Sequence, residues 1–218
     1  HADVEEVLPA AKVARVCNGT TPSRARADYW RNGSVPWLAT GKVNERMIRE
    51  ASEFVTDKAL AECSIELLPK GTVLVGMIGQ GKTRGMVAYL TFSACINQNF
   101  GAFVPGPRVD GRWLYHFLDF YYSQLREIGG GTNQGAMNCY QLKRLRLPLP
   151  KIERQREVAA LLDGCDELAS ATYEELRILT SVKAGLLQDL LTGRVRVPAE
   201  KSKAAAQLQM FAGAGGRK

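Results

Sequence analysis

The chain has 218 residues, 45% of them hydrophobic, which is enough to bury one sizeable core and excludes a disordered protein. Lysine and arginine number 29 against 22 aspartates and glutamates, and the resulting net charge of +7 favours an anionic partner. No run approaches the roughly 18 apolar residues of a membrane span, and the first ten residues are too acidic for a signal peptide. We therefore expect a cytoplasmic protein without membrane contact.

The residue types that carry metal or nucleophilic chemistry are sparse. The five cysteines stand at wide intervals without a C-x-x-C pair: Cys17, Cys63, Cys95, Cys139 and Cys165. This spacing favours reduced, mostly buried thiols over a disulfide framework or a zinc site. His116, inside an apolar run, is expected to be a hydrogen-bonded core histidine. No G-x-S-x-G or H-E-x-x-H motif is present, so we expect no catalytic residue, metal or cofactor.

The first 150 residues predict an α/β (α+β) globule with a mixed sheet. Segments of β-like composition or alternating polarity, separated by glycine, proline and asparagine, predict strands at residues 12–16, 72–78, 86–92 and 142–147. A short helix is predicted at residues 57–62 and a longer, aromatic one at residues 111–126. The tryptophans and the aromatic run from Trp113 to Tyr122 are predicted to be core residues instead of base-stacking platforms.

The sequence changes character at Leu147-Pro148-Leu149-Pro150, since two prolines end a strand and forbid a helix until they are passed. We divide the chain into a globular domain at 1–150, a long helix at 151–197 and a disordered Ala/Gly/Lys-rich tail at 198–218. From residue 153 to about 191 apolar or small residues recur at near-heptad spacing. Such a helix needs a partner helix, and the residues predicted to form that contact are Leu161, Leu168, Leu179, Val182 and Leu186.

Residues 76–83, GMIGQGKT, fit the P-loop pattern G-x-x-x-x-G-K-[ST] and follow a predicted strand. A P-loop also requires a helix that begins at its lysine, because the helix N-terminus holds the phosphates. Here Gly85 follows almost at once, and residues 86–92 favour a strand. A glycine turn that presents Lys82 and Arg84 to a phosphate backbone explains the same residues. A P-loop enzyme stays the alternative, which ATP hydrolysis would reveal.

Several segments occur in an order that resembles the specificity subunit of type I restriction-modification systems. They are NGTTPS at 18–23, VPWLATGKV at 35–43, LPKGTVL at 68–74, INQN at 96–99, LPLPKIERQ at 147–155 and KAGLLQDLLTGRVR at 183–196. The last two resemble the beginning and the end of the long helix of that family. The family usually carries two target recognition domains and two helices, whereas this sequence has one of each. The chain is therefore either a half subunit or a piece of a full one.

The resemblance implies that the globular target recognition domain binds a half-site of double-stranded DNA. It also implies that the helix pairs with another such helix, here in a homodimer, spaces the two domains and docks adenine methyltransferase (modification) subunits, with a restriction subunit completing the enzyme. Basic, amide and hydroxyl-bearing residues in polar loops are the candidate DNA contacts. They are Thr21, Ser23, Arg24, Arg26, Lys42, Lys82, Arg84, Asn133, Gln134 and Asn138.

Two alternatives stay open for these features. The glycine-rich segment around Asn133 and Gln134 is either a DNA-reading loop or an ordinary connection. The helix could also serve a coiled-coil adaptor without DNA binding, which the absence of salt-sensitive DNA affinity would mark.

Overall fold

Short strands and helices alternate up to residue 150, and one long helix follows. The structure, a computed structural model, describes residues 4–79, 81–128 and 136–196. The strands are β1 (Val4–Pro9), β2 (Ala14–Asn18), β3 (Val35–Leu38), β4 (Met47–Ile48), β5 (Glu53–Val55), β6 (Val73–Gly76), β7 (Val87–Leu90), β8 (Cys95–Ile96), β9 (Phe100–Pro105) and β10 (Arg146–Pro150). The helices are α1 (Asp57–Glu62), α2 (Gly111–Phe120), α3 (Tyr122–Ile128), α4 (Cys139–Lys143) and α5 (Ile152–Leu191). Short 3₁₀ helices lie at Ala10–Lys12, Ala27–Tyr29 and Thr40–Glu45.

Within the described ranges the strands form three sheets. The largest has the order β2-β9-β6-β7-β4, in which only β4 runs parallel to its neighbour. A second sheet has the order β5-β3-β8, and β1 pairs antiparallel with β10. Parallel and antiparallel pairs therefore occur in the same sheets, which confirms the predicted α/β class with a mixed sheet and a long C-terminal helix.

The hydrophobic core lies on both faces of the five-stranded sheet. Helix α2 packs Leu114, Tyr115 and Leu118 against Val75 and Phe103 on one face. A second cluster, around Leu38, Leu74, Leu90, Ile96 and Phe100, lies on the other face. Trp37 and Trp113 are buried as predicted, whereas Phe120 is 80% exposed and lies outside the core. The cysteines are free, but only Cys95 is buried, so the prediction of mostly buried thiols is wrong.

Most predicted elements are present, with one error. The helix at residues 57–62 has the predicted bounds, and the aromatic helix is divided into α2 and α3 at Tyr121. The strand predicted at residues 142–147 is wrong, because Leu142 lies in α4 and the strand runs over Arg146–Pro150. Strand β10 tolerates Pro148 and Pro150 because it pairs with β1 alone and its other side is open. On the open side a proline nitrogen, which has no hydrogen, leaves no ladder hydrogen bond unmade.

The chain divides into two compact units after Asp163, so about three turns of α5 belong to the first unit. Gln155, on the first of these turns, is fully buried. Its side-chain oxygen accepts from the Asp110 backbone nitrogen at 2.8 Å, and its Nε2 donates to the carbonyl oxygens of Arg108 and Pro150 at 3.1 and 2.8 Å. No helix within the described ranges has the length and apolarity to cross a membrane.

Asp163 ends this anchored part of α5. Its carboxylate accepts hydrogen bonds from Arg112, and His116 Nε2 lies 2.6 Å from the same group. Burial raises the pKa of Asp163, but the hydrogen bonds from Arg112 and His116 outweigh it, so the pKa of the carboxyl is lowered overall. The predicted role of His116 as a hydrogen-bonded core histidine is confirmed, since its side chain is 10% exposed.

Candidate nucleic-acid interface

Strand register brings several loops to one edge of the sheets. Asn18, the last residue of β2, pairs with Gly101, and Gly76 at the end of β6 pairs with Phe100. Leu38 at the end of β3 lies beside Ile96 at the end of β8. The loops that follow β2, β3, β6 and β8 therefore all leave the sheets at the same edge.

Backbone hydrogen bonds join these loops to one another. Thr20 N donates to Ile96 O at 3.0 Å, Asn97 N donates to Leu38 O at 3.0 Å, and Met77 N donates to Asn99 O at 2.9 Å. The contact at Thr20 requires Gly19, because a Cβ there would lie 1.8 Å from Ile96 O. We call residues 19–24, 39–45, 77–79, 81–86, 97–99 and 136–138 the loop edge.

Asn97 is the polar centre of the loop edge. Its side chain is buried, and its Oδ1 accepts from Thr40 Oγ1 at 2.9 Å and from Asn99 N at 3.2 Å. The neighbouring Gln98 is exposed, and its Oε1 accepts from Thr21 Oγ1 at 2.6 Å. Thr21 therefore holds the Gln98 side chain in place through its oxygen, and the Nε2 group of Gln98 can donate to another molecule. The INQN segment carries the family resemblance, but neither residue was singled out from the sequence, because no local pattern marks a buried asparagine.

Three of the predicted DNA-binding cations already have acidic partners. Arg24 pairs with Glu53 at 2.5 Å, Arg26 with Asp28 at 2.6 Å, and Lys42 with Glu45 at 2.6 Å. Arg24 also lies 3.7 Å over the Trp30 ring, while Ser23 accepts at its carbonyl from Trp30 Nε1. Hydrogen bonds from Arg26 and then from Lys58 lower the pKa of Asp28. The exposed pairs of Arg24 and Arg26 are weak enough for a phosphate to compete, whereas the Lys42 side chain is largely buried beside Glu45. Each acidic partner neutralises part of the charge.

The P-loop-like segment forms a β-hairpin. Strands β6 and β7 pair antiparallel, with Val75 opposite Val87. Gly76 N donates to Met86 O and Gly85 N donates to Gly76 O, at 2.9 and 2.8 Å, which closes the turn. Residues 81–92, all described, contain no helix. The segment therefore lacks the helix N-terminus that a P-loop requires, as the sequence predicted.

Helix α3 braces this hairpin turn. Arg126 Nη1 donates to the carbonyl oxygens of Gly81 and Arg84 at 2.8 and 3.1 Å, and Tyr122 Oη donates to Lys82 O at 2.9 Å. Lys82 itself is exposed and Arg84 is half-buried. The backbone of the turn is thus fixed while the Lys82 side chain extends into solvent. No sequence pattern indicates the bracing roles of Tyr122 and Arg126, because these roles depend on contacts across more than 35 positions.

The structure describes the amide-rich segment from residue 136 onwards. Asn133 and Gln134 lie outside the described residues. Asn138 is the N-cap of α4, where its Oδ1 accepts from Gln141 N at 3.0 Å and Gln141 Oε1 accepts from Asn138 N at 2.9 Å. This capping box gives Asn138 a local structural role. Its predicted contact with adenine stays a prediction.

The residues predicted to pair helices are all exposed. Leu161, Leu168, Leu179, Val182 and Leu186 are between 53% and 71% exposed. At 3.6 residues per turn they follow one side of α5, and further apolar residues widen the stripe to about half of the helix surface. These further residues are Leu162, Tyr173, Leu176, Leu187, Leu190 and Leu191. Ile178 lies just outside this half of the helix surface, one turn before Val182.

Together these features define a small α/β domain with a polar loop edge and an exposed, leucine-rich helix. The profile of the family described as the type I restriction modification DNA specificity domain matches residues 6–179. The match covers most of the chain, so the chain belongs to this family. The resemblance predicted from the sequence is confirmed.

Individual relatives cover the chain but are longer. The type I restriction enzyme MjaIX specificity subunit of Methanocaldococcus jannaschii is 26% identical over 192 residues, which are 84% of this chain and 43% of that subunit. The EcoR124I/EcoR124II specificity subunit of Escherichia coli is 22% identical over 170 residues, or 76% of this chain and 42% of that subunit. The chain thus spans less than half the length of these relatives.

Solved structures share the fold. The HsdS subunit from Thermoanaerobacter tengcongensis matches with a TM-score of 0.58 at 18% identity, over 76% of this chain and 38% of that one. A chain from a structure on complex assembly and conformational transition of the type I R-M system matches with a TM-score of 0.64, also at 18% identity, over 84% of this chain and 45% of that one. At this identity the similarity concerns the fold alone.

Proposed function

We propose that this chain is a sequence-specific DNA-binding part of a type I restriction-modification enzyme and that the loop edge reads one half of a bipartite target. The chain has no catalytic role in this proposal. Directing methylation and cleavage to a site requires only that the domain bind that site and hold the other subunits nearby.

The observation that carries the proposal is the convergence of four loops, from distant parts of the sequence, on one polar edge. Gln98 has a fixed oxygen and an exposed amide, and glutamine pairs with adenine in the major groove. Lys82 extends from a braced turn, and a lysine in such a place neutralises a phosphate without reading sequence. The edge thus combines a candidate base-reading group with a candidate backbone contact.

The exposed stripe of α5 supports the second half of the proposal. The helix pairs with an equivalent helix, in a homodimer of this chain, and the paired helices space two recognition domains along DNA. Adenine methyltransferase (modification) subunits and a restriction subunit then assemble on this framework. A split, inverted-repeat target follows from the two-fold symmetry of such a dimer.

The test uses a pool of DNA duplexes with a randomised centre, from which the full chain selects its ligands. We expect one enriched motif. Gln98→Ala should relax that motif at a single base pair, with a loss of discrimination of about 1–3 kcal/mol. Lys82→Ala should weaken binding to every duplex and reduce the salt slope by about one ion.

Lys70→Ala is the matched control for Lys82→Ala. Lys70 is an exposed lysine in the turn before β6, at the opposite end of the same strand, so its removal should change neither the motif nor the salt slope. Failure to enrich any motif, or an equal effect of the two lysine variants, would contradict the proposal.

A further inference from the structure

Helix α4 lies at the loop edge, although it belongs to none of the loops that the strand register brings there. Met137, just before its N-cap, donates from its backbone nitrogen to Met77 O at 3.0 Å. Leu142, in its last turn, is buried against Gly101, where a Cβ would lie 2.2 Å from the leucine Cδ1. Gly101 pairs with Asn18 at the end of β2, and Met77 follows the end of β6. Helix α4 is therefore fixed beside the ends of β2 and β6, where two loops of the loop edge begin.

The face of α4 opposite Leu142 is exposed, aromatic and basic. Tyr140 is 65% exposed, and Lys143 and Arg144 are exposed as well. Arg144 Nη1 donates to Tyr140 Oη at 2.6 Å, and the guanidinium lies 5.4 Å from the ring centroid. Tyr140 therefore orients the guanidinium while leaving its Nε and Nη2 hydrogens directed elsewhere.

Lys143 and Arg144 differ from most of the cations predicted to bind DNA in their partners. Arg24, Arg26 and Lys42 are each paired with a carboxylate. Within the described ranges, neither Lys143 nor Arg144 forms an ion pair. A phosphate that binds a paired cation must displace that cation's carboxylate partner. At Lys143 and Arg144 there is no such partner to displace, so the net binding free energy of a phosphate is more favourable there.

We propose that Lys143 and Arg144, with Tyr140 orienting the arginine, bind the phosphate backbone of duplex DNA beside the half-site. The inference rests on the proposed function of the loop edge and names a contact outside the loops. It assigns α4 a role in positioning the domain, because phosphate contacts fix the register of a protein on DNA but carry no sequence information.

The experiment measures the affinity of the full chain for the selected duplex and for a scrambled duplex, as a function of salt concentration. We expect the double variant Lys143→Ala/Arg144→Ala to reduce the salt slope by about two ions on both duplexes, with the enriched motif unchanged. The loss of affinity between about 50 and 200 mM salt should then shrink by on the order of tenfold. Tyr140→Phe keeps both charges, so it should weaken binding without changing the slope.

The control is Arg49→Ala/Lys70→Ala, which removes the same charge from exposed residues at the opposite edge of the sheet. Equal slopes for this control and for the α4 double variant would show a non-specific charge effect and would overturn the proposal. An unchanged slope in the α4 variant, with Lys82→Ala still lowering it, would overturn the α4 contact alone. An α4 variant that binds DNA with an unchanged slope but no longer binds the modification subunit would also overturn the α4 contact, because the surface would then bind a protein and not DNA. If the wild-type chain binds no DNA, the proposed function itself fails. The thermal midpoint of each variant verifies folding.

Discussion

Helix α5 has two parts that are helical for different reasons. In residues 152–163 the helix is part of the globular unit, with Gln155 and Ala159 buried and Asp163 bonded to α2. In residues 164–191 the large apolar side chains are between 42% and 82% exposed. The first part of this single helix is thus stabilised by contacts with its own chain. The second part carries a leucine stripe that its own chain does not bury.

The second part is also a poor helix on its own. It contains Gly164 and Gly185, each of which costs about 1 kcal/mol relative to alanine within a helix. The hydroxyls of Thr172 and Thr180 bond back to carbonyl oxygens four residues earlier, which slightly destabilises a helix. Most helical stability in proteins comes from packing an apolar face. Under the proposed helix pairing, the helicity of residues 164–191 depends on the partner helix, whereas residues 152–163 are stabilised by contacts with their own chain.

The largest expected effect is on helix pairing. Leu168→Glu/Leu179→Glu should make the chain monomeric, because each leucine contributes about 2 kcal/mol when buried and a pair of chains would lose four of them, about 8 kcal/mol in all. Sedimentation measures the mass, and circular dichroism should show a loss of helix. Ser170→Glu/Ser181→Glu adds the same charge at the same spacing on the side opposite the stripe and should leave the oligomer intact. A dimer that survives the leucine changes would remove the stripe as its interface.

A smaller effect is expected at the anchored part. Gln155→Leu should reduce the free energy of unfolding of the globular unit by about 3 kcal/mol, because the Asp110 nitrogen and the carbonyls of Arg108 and Pro150 lose their partner. Urea unfolding measures this change. Gln188→Leu, at an exposed position of the same helix, should stay within about 0.5 kcal/mol. Similar losses for both variants would mean that Gln155 does not anchor α5.

The sequence predicted the parts that depend on local patterns. Leucine spacing and the absence of proline indicated α5, and alternation indicated the hairpin of β6 and β7. The error at residues 142–147 arose because apolar spacing outweighed the capping signal of Asn138 and Gln141. Strand β10 was also hidden, since prolines are tolerated only where a strand has an open side.

The candidate site was predictable only in part. Its loops were identified by composition and by resemblance, but their meeting at one edge follows from strand register, which joins residues as distant as Asn18 and Gly101. The partners that neutralise Arg24 and the brace that fixes Lys82 lie 29 and 40 positions away. A sequence pattern shows which residues are charged, but it does not show which charges are already paired.

The smallest expected effect concerns two glycines, Gly185 in the exposed part of α5 and Gly19 in the loop edge. A Cβ at Gly185 would meet no atom within 4 Å, so Gly185→Ala should raise the stability of the paired helix by about 1 kcal/mol per chain through helix propensity alone. Thermal unfolding of the dimer measures this as a higher midpoint. Gly19→Ala is the opposing variant, because a Cβ there would lie 1.8 Å from Ile96 O and the loop edge would have to shift. We expect it to lower the midpoint and weaken DNA binding. If Gly185→Ala also destabilises the protein, a partner approaches the helix closely at that position, and the side opposite the leucine stripe takes part in the assembly as well.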